Sequence, residues 1–168
     1  MNKNKFLLLF ILCCVLPLLA AKLVLELGWF NPGSASQGQW LQQEIYLLDD
    51  ASKQPNHWRI AVVADECQQQ RCQQALHTVQ QLYLGLGRKQ KQVQLVYVGE
   101  ARPADYPVFQ LQQTEAASLL QNQIILVDQQ GLALLSYPMP EQAEQMAATA
   151  KAIRADLMKL LNYDRTSV

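Results

Sequence analysis

The chain has 168 residues, enough for one ordinary core plus an appendage and too few for a multidomain enzyme. Half of its residues are apolar and only 17 % are charged, and 14 Lys+Arg balance 14 Asp+Glu for a formal net charge of zero. Without a basic surplus it lacks the electrostatic footprint of a nucleic-acid binder, so no nucleic-acid partner is expected.

From Phe6 to Ala21 every residue is apolar or Cys, and beyond Lys22 the run resumes at Leu23-Val24-Leu25 before Gly28. As a helix, about 22 residues would reach roughly 33 Å, the thickness of a hydrocarbon core. Leu18-Leu19-Ala20-Ala21 puts a bulky Leu where a signal peptidase needs a small residue. An uncleaved single-pass anchor is therefore favoured over a cleaved signal. Lys3 and Lys5 flank its near side, so residues 1–5 are expected as a cytoplasmic tail, 6–28 as the transmembrane anchor that meets the membrane, and everything after about Phe30 outside. Trp29 and Phe30 would sit at the outer headgroups, with Lys22 snorkelling toward them. Cys13 and Cys14 read as apolar filler.

Residues 29–39 form a turn-rich linker by composition, 40–163 the folded domain and 164–168 a tail. Gln42–Leu48 reads as a short first strand and Asp49–Asn56 as polar loop. The β-branched run Trp58–Ala64 is the first core strand. Cys72, Ala75/Leu76, Val79, Leu82/Tyr83 and Leu86 recur at helical intervals and predict a helix from Gln68 to Leu86, ended by Gly85 and Gly87. Val93–Gly99 is the second strand, parallel to the first through a right-handed crossover. Glu100–Leu111, with Pro103 and Pro107, is irregular, and Thr114–Leu120 is a short helix. Ile124–Val127 is a third strand, turned by Asp128-Gln129-Gln130-Gly131 into a hairpin with Leu132–Tyr137. Pro140 opens a last helix whose apolar face carries Met146, Ala150, Ile153 and Leu157. Val62, Leu95, Leu126 and Ile153 are expected in the core. This order predicts an α/β fold, a thioredoxin-like domain preceded by a single N-terminal transmembrane helix. The paired and tripled glutamines read as solvated surface.

Cys67 and Cys72, where the first core strand passes into the long helix, form the constellation with chemical content. In a continuous helix a five-residue step rises about 7.5 Å and turns side chains ~140° apart, so a bridge requires Cys67 to lie ahead of the helix. Three uses stay open: a static disulfide, a thiol-disulfide exchange site, and a two-thiolate copper(I) site that still wants a third ligand. Cys72 shares the apolar helix face and is expected to be buried and slow; Cys67 is expected to be the more exposed thiol. Asp65 and Glu66 raise its pKa while the helix terminus and Arg71 lower it. His77 and His57 fall out of reach of the pair and read as surface histidines. Asp49-Asp50 and Asp65-Glu66 read as solvated turns. No resident cofactor is expected.

Several motifs carry a resemblance. They are Gly28-Trp29-Phe30-Asn31-Pro32-Gly33, Trp40-Leu41, Trp58-Arg59-Ile60 leading to Cys67 and Cys72, Leu84-Gly85-Leu86-Gly87-Arg88-Lys89, and Ile125-Leu126-Val127-Asp128 followed by Gly131 and Tyr137-Pro138. The chain resembles the small membrane-anchored proteins of proteobacteria that accompany cytochrome c oxidase assembly genes, themselves similar to Sco-type copper chaperones. The resemblance implies an accessory protein of oxidase assembly in the bacterial cytoplasmic (inner) membrane, its C-terminal domain in the periplasm, with an oxidase subunit or another respiratory assembly factor as partner. If a redox role follows, it falls to Cys67 and Cys72; if copper follows, the same two would bind it. The chain departs from the Sco pattern in two ways. Sco-type proteins place three residues between their cysteines and a histidine about eight before the late Asp, whereas here four residues intervene and Leu120 stands at the position counted back from Asp128. Leu119–Ile124 also lacks the proline that faces the active site in thioredoxin-type oxidoreductases.

Overall fold

The computed structural model describes residues 3–26, 36–48, 57–101 and 103–163, without the side chains of 3–9, 24, 25 and 163. Trp29 and Phe30, most of the expected linker 29–39, the loop with Asp49-Asp50 and the tail 164–168 lie outside the described residues. In chain order the elements are α1 (Lys3–Glu26), β1 (Gln39–Trp40), β2 (Trp58–Val63), α2 (Gln70–Leu84), β3 (Val93–Val98), β4 (Gln110–Gln112), β5 (Gln123–Val127), β6 (Ala133–Pro138) and α3 (Ala143–Tyr163). Short 3₁₀ helices cover Gly87–Gln92 and Glu115–Leu120.

The chain divides into two compact units, Met1–Ala35 and Ser36–Val168. In the first, α1 runs for 24 residues with Pro17 inside it, and Lys22 reaches Glu26 at 3.6 Å on an exposed surface. Among the described residues, no helix is long and apolar enough to cross a membrane. Of the expected transmembrane span over 6–28, the side chains of 6–9, 24, 25, 27 and 28 lie outside the described residues.

In the second unit the strands form one sheet in the order β1-β6-β5-β2-β3-β4. β2 and β3 are parallel from Trp58↔Val93 to Val63↔Val98, joined through α2, while β5 runs antiparallel to β2 and β6 antiparallel to β5. Side chains alternate across the sheet with the two-residue period of a strand. Ile60, Val62, Leu95 and Leu126 meet Leu76 and Val79 of α2 and Ile153 and Leu157 of α3. The intervening Ala61, Val63, Val96, Ile125 and Val127 meet Ile45, Leu47 and Leu48 with Ala117 and Leu120. All four residues expected in the core are buried.

Several element boundaries differ from the sequence reading, among them the three that follow. The first paired strand is Gln39–Trp40, not Gln42–Leu48, where only Tyr46 bridges Leu132. The later residues cover a sheet face with Ile45, Leu47 and Leu48 instead of extending a ladder. α2 starts at Gln70, two residues late. α3 starts at Ala143, three residues after Pro140.

Candidate functional site

At the carboxyl end of β2 the backbone is tied down from several sides. Ala64 N–H donates to the Val98 carbonyl at 3.0 Å and Glu100 N–H to that of Asp65 at 3.3 Å. From below, the buried Tyr97 hydroxyl donates to the Ala64 carbonyl at 2.8 Å. Gly99 follows from this close approach, since a Cβ there would run into the Ala64 carbonyl and the Tyr97 ring.

Cys67 leaves this anchored strand end in a turn, and because α2 begins only at Gln70, Gln68 and Gln69 are free to bring the chain round. Cys67 and Cys72 are joined as a disulfide with their Cα atoms 5.3 Å apart. The bridge thus meets the geometric condition set by their spacing, with Cys67 ahead of the helix. The Gln73 side-chain amide donates to the Cys67 carbonyl at 2.6 Å, closing the turn a second time. Tyr106 holds the same helical turn, its hydroxyl donating to the Gln73 carbonyl at 3.3 Å. Cys72 lies on the apolar face with Leu76 and Val79 and is 1 % exposed; Cys67 is 7 % exposed, the less covered of the two yet also buried.

The segment before β5 completes the surroundings. The Gln121 amide donates to Asp65 Oδ1 at 2.5 Å, and Asn122 N–H to the Val63 carbonyl at 2.9 Å. Asn122 adopts φ 58°, a left-handed conformation that Asn tolerates better than most residues. A cleft of about 300 Å³ opens beside the disulfide, lined by Cys67, Asp65, Glu66, Gln68, Glu100 and Pro103. A second, of about 420 Å³, shares Asp65 and Glu100 with it and adds Glu115. This acidic mouth is felt inside the domain. Burial first, then the charges of Asp65 and Glu66, push the Tyr97 phenol above its ordinary range.

Neither histidine joins the cysteines. His57 precedes β2, at the end of the strand away from Cys67, and His77 is exposed on α2. Among the described residues no three His, Cys, Asp or Glu side chains gather to hold a metal ion. Among the described residues the two sulfurs that could serve copper are joined to each other as a disulfide. Sequence reasoning found the cysteine pair and missed its supports. Gln73 falls among the paired glutamines read as solvated surface, although it stands one helical turn after Gln69 in the first turn of the helix, and nothing in the local pattern marks Gln121.

No curated protein matches the chain. The model of the family described as "Transmembrane-like, thioredoxin-like, C-terminal domain" matches residues 58–164. Among solved structures, the apo Sco1 protein of Thermus thermophilus superposes with a TM-score of 0.53 at 16 % identity, covering 74 % of this chain and 96 % of that one. A candidate protein disulfide isomerase from Bacteroides thetaiotaomicron gives 0.42 at 10 % identity over 71 % and 86 % of the two chains. A SCO1/SenC family lipoprotein from Bacillus anthracis str. Ames gives 0.41 at 10 % identity over 71 % and 96 %. The fold shared with Sco1 is the mixed α/β thioredoxin-like fold expected from the order of elements.

Proposed function

The chain belongs to the transmembrane-like, thioredoxin-like C-terminal domain family, and on that premise we propose that it is a membrane-held accessory protein of respiratory-oxidase assembly. α1 associates with the cytoplasmic membrane, and the thioredoxin-like domain stands on its outer face, where it contacts an oxidase subunit or another assembly factor. The observation that carries this reading is a Sco-like domain whose cysteine pair is closed as a disulfide and buried. That is a scaffold suited to contact more than to carrying metal. Association through α1 draws on the apolar run Phe6–Ala21 and on an exposed, snorkelling Lys22 that lets the apolar stretch continue past it.

A second reading rests on the disulfide itself. A membrane-tethered thiol-disulfide protein would use Cys67, the less covered sulfur, to attack a partner disulfide and release one partner thiol. Cys72 would then attack Cys67 Sγ, free the second partner thiol and leave the Cys67–Cys72 bridge. Two electrons pass to the partner, and an external dithiol would have to reset the pair. Under a third reading, the reduced pair carries copper(I).

The test is deletion of the gene in its host, followed by assay of assembled cytochrome c oxidase in membranes. Loss of oxidase that is restored by the wild type and by the Cys67→Ser, Cys72→Ser double variant supports the accessory reading. Rescue by the wild type alone favours a thiol role, and anaerobic copper(I) titration with and without Cys67→Ser then separates exchange from carriage. Unchanged oxidase on deletion rejects the proposal. A C-terminal alkaline phosphatase fusion reads the side of the membrane: activity is expected, and a stable but inactive fusion overturns the orientation.

A further inference from the structure

The family match begins at residue 58, yet the strap formed by residues 36–48 is built into the same unit. Gln39 and Trp40 pair with Ser136 and Leu135. Leu41 N–H then donates to the Leu134 carbonyl at 3.0 Å, Ala133 N–H to that of Ile45 at 2.9 Å, and Leu47 N–H to that of Gly131 at 3.0 Å. The strap therefore follows the free edge of β6, while Ile45, Leu47 and Leu48 bury themselves on the sheet face beside it.

Its first residues are fixed by one side chain from far along the chain. Asp156, on α3, is 1 % exposed. Its Oδ2 accepts from the backbone N–H of Gln37 at 2.6 Å, the N–H of Gly38 at 2.9 Å and the hydroxyl of Tyr137 at 2.8 Å. Lys159 Nζ stands 3.5 Å from the other oxygen. Gly38 lies so tightly against the Tyr137 ring that a Cβ would collide with it. Burial, reinforced by the bond to Asp156 and its charge, pushes the Tyr137 phenol far above its ordinary range, which keeps the hydroxyl a donor.

We propose that Asp156 is the latch of this strap: its carboxylate joins α3, β6 and the leading residues of the strap, and its loss opens the strap and uncovers the β6 edge. Charge-assisted bonds to a buried carboxylate are stronger than neutral ones, and each donor left behind is costly to bury unpaired. An uncovered edge is a template for pairing with another chain, so the strap also protects the domain against association.

Hydrogen–deuterium exchange on the full-length protein tests this. In Asp156→Asn, amides of residues 36–41 and 133–136 are expected to exchange about tenfold faster than in the wild type, with β2, β3 and α2 unchanged. Gly38→Ala opens the same contact from the strap side while leaving the carboxylate in place, and the same local pattern is expected. It decides the matter if Asp156→Asn does not fold. Unaltered exchange in the strap, or acceleration spread evenly over β2, β3 and α2, overturns the latch.

Discussion

In the unit from Ser36 onward, two buried junctions work at opposite ranges. The Cys67–Cys72 disulfide is covalent and closes a loop over a sequence separation of 5. The Asp156 junction is non-covalent and reaches 119 positions back to Gln37. A bond across a short loop removes little entropy from the unfolded chain, so the disulfide shapes a turn more than it holds the domain together. A carboxylate serving three donors from two other segments is formed only when the whole fold is in place, and every donor depends on it. Covalency is thus a poor guide to which junction matters more for stability.

The largest effect is expected at Asp156. Its replacement by Ala strands two backbone N–H groups and a phenol, at a cost of about 3–5 kcal/mol in urea unfolding of the full-length protein. Reducing the disulfide is expected to cost about 2 kcal/mol by the loop-entropy relation. A reduced protein less stable than Asp156→Ala would reverse the comparison. Gln73→Ala removes the donor to the Cys67 carbonyl and is expected to cost about 1 kcal/mol. It should also make the disulfide easier to reduce in glutathione buffers, because the turn is no longer held closed; unchanged reducibility would leave Gln73 a bystander.

The mildest test is alkaline titration. Tyr97 and Tyr137 both titrate above their ordinary value in the folded state, burial being the first cause in each, whereas the unfolded chain releases these protons near pH ~10. Above that pH the native state binds more protons than the unfolded one. Stability contributed by these phenols is therefore complete below pH ~10 and lost as pH rises toward the native values. Stability followed by circular dichroism should be flat from neutrality and then decline, and Tyr137→Phe should blunt the decline. A decline that begins well below pH 9 would point to other groups.

Short-range pattern accounts for what was readable beforehand. The apolar runs Trp58–Val63 and Val93–Val98, the helical stripe of Cys72, Leu76 and Val79, and the turn Asp128–Gly131 are each encoded within a few residues. Elements with such periods announce themselves. The condition that Cys67 precede the helix belongs to the same class, since it follows from helix rise and twist alone. Boundaries were less legible: Gln42–Leu48 has strand composition, but its apolar side chains were claimed by a sheet face rather than by a ladder.

The amino-acid sequence by itself determined the strands, the helix faces and the place of the cysteine pair, because local periodicity fixes which side of an element is apolar. Only the tertiary structure decided the uses of Gln73, Gln121, Tyr97 and Asp156. Alone, each is an ordinary polar residue, indistinguishable from those that face water. Its role arises when folding removes water and brings a particular carbonyl or N–H within bonding distance, and for Asp156 that partner lies most of the domain away.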